Sequence, residues 1–166
     1  MLIPQHLPSR FDIVPMTEQH AIHICSWRYP EPYHVFNWRS WEELCYYHEM
    51  AADPLIREQQ LRTVLLQDGS LAGFLQLFPL VGVTRLGFGL RPEYCGLGWG
   101  AEFIVQAVAY AREQHPTDEI DLEVHIWNER AIRVYQKVGF HITDTYMKPT
   151  LQGEVEVHCM VLEAPL

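Results

Sequence analysis

The residues of this 166-residue chain whose types and spacing could do chemistry are concentrated in R-P-E-Y-C-G-L-G-W-G-A, Arg91 to Ala101. Between a strand and a helix, such a run exposes consecutive backbone N–H groups at a helix N-terminus. Unpaired donors and the helix dipole there favour an anion such as a pyrophosphate. Its glycines permit positive φ and let a ligand approach the backbone, although an ordinary glycine turn needs the same residues. The other reactive groups are a strand carboxylate, Glu123, a helix phenol, Tyr135, and the scattered cysteines and histidines.

Several chemistries fit parts of this set. Gly96-x-Gly98-x-x-Ala101 matches the dinucleotide pattern G-x-G-x-x-A, the mark of a nicotinamide- or flavin-dependent oxidoreductase. Against it, a proline-containing spacer separates the strand from the first glycine, one strand-helix-strand crossover is available, and the neighbours are hairpins. No G-K-[ST] follows, which excludes a P-loop. Cys95 as a nucleophile lacks a His or Asp at motif spacing. His20-x-x-His23 with Cys25, and Cys45-x-x-His48, invite zinc, but neither half shows a finger-like pairing, and no metal is expected.

The elements that must position these groups are read from periodicity. Phe11 to Pro15 is a short strand, and Thr17 caps a helix that runs to Trp27 and ends before Pro30 and Pro32. Ser40 and Glu43, in capping-box spacing, open a second helix ending before Asp53-Pro54. Gln60 to Gln67 and Leu71 to Phe78 form a hairpin around Asp68-Gly69, and Arg85 to Leu90 is a third strand.

The next helix, 101–115, carries Phe103, Ile104, Ala107, Val108 and Ala111 on one face. Ile120 to Trp127 alternates, with Leu122, Val124 and Ile126 on one side and Asp121, Glu123, His125 and Trp127 on the other. Asn128 caps E-R-A-I-R-V-Y-Q-K-V, which stops at Gly139. Strands Phe140 to Met147 and Glu154 to Leu162 close the chain around a turn at 149–153. The pattern predicts an α/β, mixed α+β architecture: a largely antiparallel sheet, one parallel βαβ crossover from Arg85 to Trp127, and helices packed on it.

Two stretches, L-R-P-E-Y-C-G-L-G-W-G and, at Asn128 to Phe140, N-E-R-A-I-R-V-Y-Q-K-V-G-F, together resemble the GCN5-related N-acetyltransferases. The first is similar to that family's acyl-CoA pyrophosphate loop, and the second to its Asn-x-x-Ala-x-x-x-Tyr-x-x-x-Gly-Phe signature. The resemblance implies the family's acyl-CoA N-acyltransferase fold with helices on both faces of the sheet, and acetyl transfer from acetyl-CoA, a co-substrate, to a primary amine through a tetrahedral intermediate.

By the same resemblance Cys95, Gly96, Leu97, Gly98, Trp99 and Gly100 hold the pyrophosphate. Leu90 offers backbone groups to the pantetheine arm, and Asn128 contacts that arm or caps its helix, two compatible roles. Cys95 stands where the family usually has Arg or Gln, so one side-chain contribution is lost. Tyr135 matches the tyrosine that donates a proton to the leaving thiolate. Glu123 matches a glutamate that serves as base in ribosomal-protein N-terminal acetylases of the family; His125 and His158 are alternative bases. A non-catalytic acyl-CoA binding or sensing module on the same fold is the competing reading.

Trp27 to Tyr47 holds eight of the chain's twenty aromatic residues. In the resembled family this segment overhangs the acceptor site, so an aromatic wall for an amine and ordinary core packing are both open. The formal charge of −9, with no Lys/Arg run, argues against nucleic acid as a partner. Met1 to Arg10 is too short and proline-broken for a leader, and the longest uncharged stretch, Gly69 to Thr84, contains Pro79 and falls short of the ~20 apolar residues of a spanning helix. Scattered cysteines without C-x-x-C fit reduced thiols. The expectation is one cytoplasmic domain over 1–166, monomeric or homodimeric, without a membrane segment.

Overall fold

The computed structural model describes residue 8 and residues 10–163. The lead-in read at Met1 to Arg10 therefore falls largely outside the described residues. Seven strands are hydrogen-bonded in the order β1-β2-β3-β4-β5-β7-β6. The chain divides into two compact units. One comprises the chain up to Gln76 with Phe88–Trp99, the other Leu77–Gly87 with the chain from Gly100 on.

In the first unit, β1 (Asp12–Pro15) pairs antiparallel with β2 (Leu61–Leu65), which pairs with the first part of β3 (Leu71–Leu80). Helix α1 (Glu18–Cys25) starts at Thr17, whose hydroxyl accepts from the His20 N–H while the His20 ring accepts from the Thr17 N–H, a reciprocal cap. It buries Ala21 and Ile24 against Met16, Trp27, Ala51, Leu61 and Leu71.

Helix α2 (Trp41–Tyr47) has the expected Ser40/Glu43 capping box, but it stops earlier than expected because His48 turns left-handed at φ 53°. The chain then forms an unexpected element, α3 (Pro54–Gln60). Asp53-Pro54 reads as a stop, yet Asp53 accepts from the N–H groups of Leu55 and Ile56 and Pro54 occupies the first turn, which is a helix start.

In the second unit, the first part of β4 (Val83–Leu90) runs parallel to β5 (Glu119–His125), with Val83–Leu86 in register with Glu119–Leu122. The crossover between them is α4 (Gly100–Gln114), and the stripe Phe103, Ile104, Ala107, Val108, Ala111 is buried as its spacing predicts. Strand β5 also pairs antiparallel with β7 (Gly153–Leu162), and β7 with β6 (Phe140–Thr150). Between β5 and β6 lies α5 (Glu129–Val138), capped by Asn128 and closed at Gly139. The expected mixed sheet with one parallel crossover is the observed one. Among the described residues no helix is long and apolar enough to cross a membrane.

Candidate active site

The predicted site residues fall in both units. Leu90, Cys95, Gly96, Leu97, Gly98 and Trp99 belong to the first, and Gly100, Glu123, Asn128 and Tyr135 to the second.

After β4 the chain makes a short 3-10 turn at Pro92–Tyr94 and enters the glycine loop. Gly96 and Gly98 take φ of +80° and +83°, and a Cβ on either would meet nothing within 4 Å. Backbone conformation, not space, demands glycine there. Trp99 is 1% exposed and stacked on Tyr94 at 4.6 Å, with Phe11 at 6.3 Å. Its indole anchors the loop, so what Trp99 can offer an anion is its backbone N–H.

Cys95 turns its thiol onto the carbonyls of Leu90 and Arg91, each 3.6 Å from Sγ. The thiol is thus turned onto the backbone of its own loop. The Leu90 carbonyl also accepts from the Tyr29 hydroxyl at 2.8 Å, so the end of β4 is tied to the aromatic segment. Of that segment, Trp27, Tyr29, Trp38 and Trp41 belong to the core around Ile24, while Tyr46 and Tyr47 are exposed. A polar cleft of about 480 Å³ lies among His23, Ser26, Trp27, Arg28, Arg91, Pro92 and Glu93, none of them assigned by the sequence to catalysis or to cofactor binding.

In the second unit Asn128 is buried, and its side-chain oxygen accepts from the Ala131 N–H at 3.2 Å. The cap is present, and it is compatible with a contact to the pantetheine arm. Seven residues on, Tyr135 packs edge-on against Phe140 at 6.1 Å. Some of its surface remains accessible, yet burial of the phenol pushes its pKa up to about 12.

Glu123 is not the solvated strand carboxylate that its sequence neighbourhood suggests. Register brings Arg85 of β4, Asp121 of β5 and Tyr146 and Lys148 of β6 to one face with it. Arg85 donates to both oxygens of Asp121, at 2.9 and 2.7 Å, and to Glu123 Oε1 at 2.8 Å. The Tyr146 hydroxyl and Lys148 Nζ complete the Glu123 shell. Burial pushes the Glu123 pKa up, but the hydrogen bonds from Lys148 and Tyr146 and the charges of Lys148 and Arg85 outweigh it and leave the pKa lowered. Sequence reasoning missed Arg85, Tyr146 and Lys148; only the alternation of β5 pointed toward this face.

His125 shares that face, and its pKa is lowered by burial and by the Lys148 charge. His158 pairs with Val124 and so lies on the opposite face, with Nδ1 2.7 Å from the Thr145 hydroxyl. His20, half of the zinc pattern, is engaged with Thr17 and Thr63. Among the described residues no group of three or more His, Cys, Asp or Glu side chains is arranged to hold a metal ion.

A left-handed glycine loop ahead of α4, one parallel crossover, and the capped helix that bears Tyr135 are the features on which the candidate site is built. The chain belongs to the acetyltransferase (GNAT) family, whose model matches residues 21–140. Membership makes it an acyltransferase enzyme. No curated protein sequence matches the chain.

Among solved structures it is similar to a chimera of spermidine N-acetyltransferase from Vibrio cholerae and hSSAT, with 16% identity, TM-score 0.73, and 93% of this chain and 95% of that one covered. It is also similar to spermidine/spermine N-acetyltransferase SpeG from Vibrio cholerae in complex with manganese ions, with 18% identity, TM-score 0.70, and 95% and 94% covered. A third is ribosomal-protein-S18-alanine N-acetyltransferase from Escherichia coli, with 20% identity, TM-score 0.63, and 92% and 93% covered.

Proposed function

We propose that the protein transfers an acetyl group from acetyl-CoA to a primary amine by direct attack of the amine on the thioester. The observation that carries the reading is the loop 95–100, whose two left-handed glycines run directly into the first residue of α4. That loop suits a pyrophosphate approached by backbone N–H groups. The acceptors of the similar solved enzymes, spermidine in one case and an alanine of a ribosomal protein in another, are both amines.

The amine arrives mostly as ammonium and first gives a proton to Glu123; the freed lone pair attacks the carbonyl carbon, a tetrahedral oxyanion forms, and its collapse expels the CoA thiolate, which gains the second proton that nitrogen loses. The lowered pKa of Glu123 makes it a weak base, so the neutral amine is a minor species whose share rises with pH. Tyr135 donates to the thiolate. A pKa near 12 guarantees that the proton is present at neutral pH and weakens its driving force, so the phenol acts by stabilising the thiolate through a hydrogen bond as charge develops.

Membership of an enzyme family weighs against the sensor without turnover that the sequence left open. Release of CoA thiol across a panel of amines tests the transfer: release with a primary amine supports it, and tight acetyl-CoA binding with no release under any amine overturns it.

A further inference from the structure

The chain has twelve Lys and Arg residues, of which only Lys137 and Lys148 are lysines. Lys137 stands in the last turn of α5 on the exposed surface. Lys148 lies on β6 opposite Val155, and its Nζ donates to Glu123 Oε2. Its side chain keeps 46% of its exposure while Glu123 keeps 11%. A solvent-accessible primary amine is thus held on the carboxylate that takes the proton from the acceptor. Arg85 and the Tyr146 hydroxyl fix that carboxylate from the other side, so Lys148 occupies the place at Glu123 that an incoming ammonium would need.

We propose that Lys148 Nζ is itself an acetyl acceptor and that the protein acetylates its own lysine. The inference rests on the acetyltransfer reading above. The Nζ ammonium first gives a proton to Glu123, the freed lone pair attacks the thioester carbonyl and a C–N bond forms; as the tetrahedral oxyanion collapses the C–S bond breaks, and the second proton from nitrogen goes to the leaving thiolate. The balance is one ammonium and one acetyl thioester consumed, with one amide, one thiol and one proton formed.

The product side chain is neutral and no longer pairs with Glu123. Glu123 then keeps Arg85 and Tyr146 and is open to an amine from outside. Because the Lys148 charge lowers the pKa of both Glu123 and His125, its removal strengthens both as bases.

The test incubates the full-length protein with acetyl-CoA and no added amine, followed by intact mass and peptide mapping. The expected result is a single addition of about 42 Da at Lys148, matched by an equal amount of free CoA thiol. Its rate constant is independent of protein concentration, and Lys137 is left unmodified. Lys148→Arg keeps a cation at Glu123 and abolishes the addition, whereas Lys137→Arg retains it. Tyr135→Phe slows the addition by about 10²-fold.

Equal modification of Lys137 and Lys148, or a rate proportional to protein concentration, overturns the inference. So does an unmodified Lys148 in a protein that releases CoA with an added amine, and there the acetyltransfer reading stands. A protein that neither binds acetyl-CoA nor turns over any amine overturns both together.

Discussion

At Tyr135 burial acts on the proton that the leaving thiolate needs. With its pKa pushed up to about 12, the phenol stays protonated well beyond the range of a free tyrosine. A kcat profile should therefore show no alkaline fall attributable to this group up to pH 10; a fall near 10 would place the titrating phenol elsewhere. Tyr135→Phe should lower kcat by about 10²-fold while leaving acetyl-CoA affinity unchanged, as isothermal titration would show. Glu123→Gln should slow the reaction near neutrality and recover at high pH, where the amine sheds its own proton. A pH-independent loss would assign Glu123 to structure through Arg85 and Lys148. The types and spacing of Glu123 and Tyr135 were legible in the sequence. The Glu123 partners were not, because each sits on a different strand or dozens of residues away.

Elements carry the second kind of constraint. Gly98→Ala would force an alanine into φ +83° and should cost about 1 to 2 kcal/mol, read chiefly as weaker acetyl-CoA binding as the loop relaxes to another path. Gly89 on β4 is a different case. A Cβ there would lie 2.0 Å from a Phe74 ring carbon, and that ring is held between Trp27 at 6.3 Å and Trp38 at 4.8 Å. Gly89→Ala must displace the ring and should destabilise by about 1 to 3 kcal/mol, a drop in Tm of several degrees. An unchanged Tm would mean that the aromatic cluster yields freely. Element reading from sequence succeeded where the signal is local: Asn128 and Gly139 bracket α5 as expected. It failed at α3, because Asp-Pro both stops one helix and starts the next, and only the packing of the following turn decides between them.

Across the whole molecule the acidic balance and the charged face around Glu123 set the response to pH. The Glu123 pKa lies below its ordinary 4.5, so the stability it contributes is present above that value and is lost as pH falls through the lowered one. Thermal melts from pH 7 to 3 should show a drop below about pH 4.5 that is smaller in Glu123→Gln; equal drops would assign the acid sensitivity to other carboxylates. Saturating acetyl-CoA at 100 times its dissociation constant should add about 2.7 kcal/mol, a rise in Tm of several degrees, with NAD giving none. By itself the sequence determined the family, the order of the strands and of every helix but α3, and the helix α5 with its cap and its tyrosine, because capping, turn glycines and hydrophobic period act over a few residues. Only the tertiary structure decided that Glu123 is locked by Arg85, Tyr146 and Lys148, that the Trp99 indole is buried and anchors the loop, and that His158 faces away from Glu123. A period of two tells which residues share a face of one strand, but not which residue of a distant strand is set opposite, and that register is settled by the packing of the whole sheet.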